Sequence, residues 1–108
     1  MSFNPSSYDP ARAGLAQAIF KHLPDHEKLV LTTVYNLIER PPETHLGDYA
    51  LPCFYFAKFL KKNPEKIAQE LQEALIQTKD SLGIQQIEIV GAFLNFRMDA
   101  AKIAKHLL

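Results

Sequence analysis

The segment Gly91-Ala92-Phe93-Leu94-Asn95-Phe96 sets an aromatic ring and a carboxamide two residues apart within a run of strand-forming residues. Alternate side chains of a strand share a face, so Phe93 and Asn95 project together while Leu94 and Phe96 turn to the other side. A ring beside a carboxamide can stack on an unstacked nucleobase and hydrogen-bond its edge, the way proteins read single-stranded RNA loops. The pattern by itself favours a plainer reading, with Phe93 in the core and Asn95 facing solvent.

A second group, Lys58, Lys61, Lys62 and Lys66, has the chemistry for contacts to phosphates. Twelve Lys and Arg are balanced by twelve Asp and Glu, however, so no global field draws the molecule to a polyanion. Neutrality favours a solvated helical face for these lysines. Cys53, the only cysteine, lies between Pro52 and Phe54 in an apolar run and reads as a small core hydrophobe. The neighbouring Phe54, Tyr55, Phe56 and Phe59 likewise read as core rather than as a stacking platform.

Catalytic chemistry is not legible. Four glycines are too few, and too scattered, for a dinucleotide fingerprint, a Walker loop or a G-x-S-x-G elbow. Among the histidines only His22 and His26 have metal-like spacing, and Pro24 between them prevents a shared helical face. No catalytic residue, metal site or cofactor is therefore expected in this stretch of chain. A lone cysteine fits a reducing compartment, and the start Met1-Ser2-Phe3-Asn4 has no signal-like charge and apolar pattern. A cytoplasmic location is expected, with no membrane partner, since no apolar run approaches a membrane span.

The elements that must position these residues follow from apolar spacing and from stop and start signals. With 108 residues and 47% of them apolar, one domain is expected. Residues 1–8 read as a flexible arm. Asp9 and Pro10 pair an N-cap with a first-turn proline, and Leu15, Ala16, Ile19, Phe20 and Leu23 form one stripe, giving a helix over about Pro10 to Leu23. The β-branched run that follows predicts a strand at Val34 to Glu39, although a short helix in the first half of Leu29 to Ile38 fits the periodicity too. Gly47 and Asp48 read as a turn and an N-cap, with a second helix over Tyr49 to Leu60. Asn63 and Pro64 start a third, ending near Gln77, with Ile67, Ala68, Leu71, Ala74 and Leu75 inward.

Alternation from Ile87 to Val90, and an extended run from Phe93 to Met98, predict a β-hairpin hinged on Gly91 and Ala92. Asp99 caps a last helix with no terminating residue before Leu108. The fold class expected is α+β: a small antiparallel sheet including the C-terminal hairpin, packed with about four helices.

Three segments then line up with a known family. They are Gly47 to Phe54; Ala57 and Lys58 with Leu60 to Pro64, Ile67, Ala68 and Leu71; and Ile87 to Phe96. Their order and spacing resemble the appended N-terminal domain of arginyl-tRNA synthetases, from about Val34 onward, the first helix matching by position only. Ala92 stands where many members carry proline, and residues 40–44 with Leu46 also depart from them. The resemblance implies residues 9–98 as that domain, and 99–108 as the start of a helix leading to a catalytic domain absent from this chain.

It further implies that the domain contacts the elbow of tRNA(Arg), where Phe93 and Asn95 meet a nucleotide of the D-loop. The parent enzyme would join arginine to its transfer RNA during translation with ATP and magnesium, as a class I synthetase whose motifs lie elsewhere. Partners implied are tRNA(Arg) and the catalytic domain of the same polypeptide, with a monomeric assembly. The alternative is a structural or protein-interaction domain whose hairpin never touches RNA.

Overall fold

The computed structural model describes residues 9–24, 27 and 29–99. The expected arm at residues 1–8 and the final helix expected after Asp99 lie outside the described residues. Helix α1 (Pro10–Lys21) begins as the sequence predicts, with the Asp9 carboxylate accepting from the Ala11 and Arg12 N–H groups at 3.1 and 3.2 Å. Pro10 at the first position costs nothing there, because its missing N–H has no intrahelical partner to lose. Leu15, Ala16 and Ile19 form the buried stripe.

Asp9 also reaches beyond its own helix. Its second carboxylate oxygen accepts the Tyr49 hydroxyl at 2.5 Å, and its backbone N–H donates to the Tyr35 hydroxyl at 3.0 Å. The guanidinium groups of Arg12 and Arg40 lie over the Tyr35 and Tyr49 rings, 5.3 and 5.4 Å from their centres. One N-cap thus ties together α1, the segment bearing Tyr35 and the strand bearing Tyr49.

Two elements differ from the sequence expectation. The strand expected at Val34 to Glu39 is replaced by helix α2 (Leu31–Leu37), which continues only as far as an extended Ile38. Helical spacing puts Val34 and Ile38 on one side, and both are buried; that burial outweighs the β preference of the composition. Strand pairing is reduced to one bridge, in which Glu39 and Ala50 exchange N–H···O bonds of 2.9 and 2.7 Å.

The helix expected over Tyr49 to Leu60 is divided. Its first part is strand β1 (Tyr49–Pro52), and only Phe54–Leu60 is helical, as α3. Pro52 disfavours the helical basin for Leu51, and Asp48, read as an N-cap, instead accepts the Met98 N–H at 2.8 Å. Lys61, left-handed at φ 51°, ends α3. Helix α4 (Pro64–Ile76) starts on the Asn63 side chain, which accepts the Glu65 N–H at 2.8 Å, and buries Ile67, Ala68, Leu71 and Leu75.

The hairpin forms as predicted, with β2 (Ile84–Val90), a turn at Gly91 and Ala92, and β3 (Phe93–Met98). The sheet is antiparallel in the order β1-β3-β2, so the last strand in sequence is the middle strand in space. With the four helices among the described residues this is the expected α+β architecture. Tyr49, Leu51, Ile84, Ile87, Leu94, Phe96 and Met98 belong to the buried core shared with α1, α2 and α4. Helix α4 lies against β2 and β3, and the Gln72 side chain donates to the Ile87 carbonyl at 3.0 Å.

Gly47 lies directly against the backbone of β3. Its φ is +113°, and a Cβ there would lie 2.8 Å from the Phe96 carbonyl oxygen. That approach lets the Asp48 N–H donate to the same oxygen at 2.7 Å. At Gly91, where φ is +62°, a Cβ would meet nothing within 4 Å, so only the turn conformation favours glycine. In urea denaturation Gly47→Ala should lose about 3 kcal/mol or more, from strain and collision together. Gly91→Ala should lose only about 1 kcal/mol.

Burial pushes the Cys53 thiol up from 9.0 to about 12, and Tyr49 is raised in the same sense by burial and by its hydrogen bond to Asp9. Both groups are neutral when protonated, so the fold holds their protons more tightly than the unfolded chain does. Unfolding free energy should therefore decline as pH rises from about 9 towards about 12. Thiol alkylation at neutral pH should proceed only on unfolding, readable by mass spectrometry against a urea series.

Candidate nucleic-acid interface

Because β3 is paired on both sides, its alternation is fixed: Leu94, Phe96 and Met98 face the helices, and Phe93, Asn95 and Arg97 face the other way. The sequence-derived pairing of Phe93 with Asn95 on one face therefore holds. Their surroundings differ from the plain pattern reading. Phe93 is half-buried rather than in the core, and Asn95, expected at the surface, is only 5% exposed.

Phe93 meets Phe54 edge to face, with ring centres 5.7 Å apart and planes at 83°. Phe54, assigned to the core by its place in an apolar run, is 51% exposed. The reason is local: it opens α3 directly after β1, at the outer end of the hairpin, where the Cys53 N–H donates to the Ala92 carbonyl at 2.9 Å. Val90, paired with Phe93 across the turn, is also exposed. The three make an apolar ledge with ring surface open to solvent.

About two strand steps further along the same face, near 7 Å by ordinary strand rise, the Asn95 carboxamide lines a shallow groove with Leu46, Gly47, Gln86, Glu88 and Arg97. The Asn95 Oδ1 atom is buried and accepts no hydrogen bond. An orphaned buried acceptor costs about 1–3 kcal/mol, a penalty that a ligand bringing an N–H would remove. Arg97 closes one end of the groove by donating from Nη2 to the His45 carbonyl at 2.9 Å, which fixes the 3-10 turn at Thr44–Leu46 as a wall.

The four lysines do not gather at this groove. Lys58 is exposed one turn after Phe54, so it shares that flank of α3. Lys61 is the residue that closes α3, Lys62 pairs with Glu70 at 2.9 Å, and Lys66 is exposed in the first turn of α4. Cys53 is buried, with its Sγ 3.7 Å from the Leu51 carbonyl, and does not reach the groove.

Sequence reasoning missed Phe54, Leu46, Gln86, Glu88 and Arg97 as members of this surface. Glu88 was within reach of it: counting back from a two-residue turn at Gly91 and Ala92 puts Glu88 opposite Asn95. The walls supplied by Leu46 and Gly47 carry no comparable signal, since a folded-back turn places them.

Known proteins are similar to this chain in both sequence and fold. A family model described as the arginyl tRNA synthetase N terminal domain matches residues 11–98. An arginine–tRNA ligase of Clostridium acetobutylicum is 41% identical over 75 residues, covering 69% of this chain and 13% of the ligase. That of Clostridium perfringens is 34% identical over 90 residues, covering 83% of this chain and 15% of the ligase. The arginyl-tRNA synthetase of Thermus thermophilus superimposes with a TM-score of 0.63 at 30% identity, over 88% of this chain and 15% of that one. This chain thus spans only about a seventh of its relatives' length, 13–15%, and within that span it belongs to the arginyl-tRNA synthetase N-terminal domain family.

Proposed function

We propose that this domain binds the elbow of tRNA(Arg) through one D-loop nucleotide, and so supports ATP-dependent ligation of arginine to tRNA by the longer polypeptide. The observation that carries the reading is the buried Asn95 carboxamide with an unpartnered oxygen, set beside the Phe93–Phe54 ledge on one sheet face. A splayed base stacks on the Phe93 ring and hydrogen-bonds Asn95 along its edge. Lys58, flanking Phe54, contributes a phosphate contact; Lys61, Lys62 and Lys66 add non-specific attraction at most, since Lys62 already pairs with Glu70.

ATP and magnesium act elsewhere in this proposal. Among the described residues no three His, Cys, Asp or Glu side chains come together as metal ligands, and no glycine-rich phosphate loop precedes a helix. The donor set among the described residues does not fit a nucleoside triphosphate with its metal, and the proposal assigns those groups to the catalytic domain of the same polypeptide. A monomer in the cytoplasm completes the proposal.

Phe93→Ala in the full-length synthetase should weaken tRNA(Arg) binding by about 1–3 kcal/mol, with ATP binding unchanged. Filter binding of tRNA and calorimetric titration with ATP read the two quantities separately. Unaltered tRNA affinity and aminoacylation, with the fold intact by circular dichroism, would instead favour a hairpin that serves only domain packing.

A further inference from the structure

The row of side chains across the sheet at Asn95 has a composition that a stacking site alone does not require. Glu39 bridges to Ala50, Ala50 pairs with Asn95, and Asn95 pairs with Glu88, so the four residues cross the sheet in one line on the face away from the helices. Ala50 and Asn95 are buried, and Glu88 is exposed at the groove it lines with Asn95. Directly opposed residues of an antiparallel pair have Cβ atoms about 4.5–5.5 Å apart, within reach of one ring edge.

We propose that Glu88 is the specificity-determining residue of this groove, admitting a nucleobase that presents an exocyclic amine and rejecting one that presents a carbonyl at the same place. The inference rests on the RNA-binding reading above. Its chemistry follows from the acceptors: Asn95 Oδ1 lacks a donor, and an ionised Glu88 can only accept. An exocyclic amine carries two N–H bonds, one for each of these acceptors. The Asn95 Nδ2 amide remains for a ring acceptor beside the amine. A carbonyl oxygen in that position would face two acceptors and leave all three undonated, a mismatch of the kind that costs most in a partly buried site. Gln86 and Arg97 bound the groove along the strands, so sliding the ring by one pair exchanges the acceptor pair for a different chemistry.

The test uses full-length synthetase and unmodified tRNA(Arg) transcripts in which each unpaired D-loop nucleotide is made C or U in turn, a change of amine to carbonyl in a ring of constant size. Wild-type protein should bind the C form about tenfold to a hundredfold more tightly than the U form at one position. Glu88→Gln can donate to a carbonyl, so discrimination at that position should fall to within about threefold, chiefly by tighter binding of the U form. Phe93→Ala should weaken both forms alike. If Phe93→Ala weakens binding but wild type shows no preference, or Glu88→Gln preserves it, the role of Glu88 is overturned and the RNA site stands. If Phe93→Ala changes neither form, the RNA site itself falls and the role of Glu88 with it.

Discussion

Strand β3 is hydrogen-bonded to a neighbour on each side, and a strand held in that way cannot slip by a residue without carrying its whole apolar set out of the core. Leu94, Phe96 and Met98 are buried beneath the helices, and their burial locks the phase of the strand. Phe93, Asn95 and Arg97 are then committed to the opposite face. The candidate site is thus the reverse side of the core, and its geometry is as rigid as the packing behind it. This is the kind of support a recognition site needs, since side chains on a central strand move less than those on a loop.

Two aspartates extend that rigidity at places where helices alone would leave it loose. Asp48 joins the loop before β1 to the end of β3: its backbone N–H donates to Phe96 and its carboxylate accepts from Met98. Gly47 permits the approach by having no side chain, and the same contact brings Leu46 and Gly47 to the wall of the Asn95 groove. Asp9, at the start of α1, gathers hydroxyls from α2 and β1. Both residues are good N-cap types, and only one of them caps a helix. An oxygen-bearing short side chain satisfies whichever backbone N–H the tertiary fold brings to it.

Among the described residues, Asn95 Oδ1 is a buried side-chain oxygen of the central strand left without a partner, although Asn95 is flanked by well-satisfied backbone. Asn63 at the start of α4 and Gln72 at Ile87 follow the rule that such side chains find partners; besides Asn95 Oδ1, only the Arg12 Nε is a buried side-chain atom without one among the described residues. An unmet acceptor beside exposed aromatic surface is a local departure from that rule, and departures of this kind gather at functional positions.

Features governed by spacing and chemistry within a few residues could be read directly from the chain. The caps and first-turn prolines at Asp9-Pro10 and Asn63-Pro64 located α1 and α4, the turn at Gly91-Ala92 located the hairpin, and alternation put Phe93 with Asn95. The three ordered motifs placed the chain in its family. Features that depend on a distant partner emerged only with the folded molecule. The β-rich Leu31–Leu37 segment became helical because burial of Val34 against other elements outweighed its propensity, and Tyr49–Pro52 became a strand because an edge of β3 was there to pair with it. Packing likewise left Phe54 exposed and Asn95 covered, for exposure is a property of what folds over a residue and not of the residue's own neighbours in the chain.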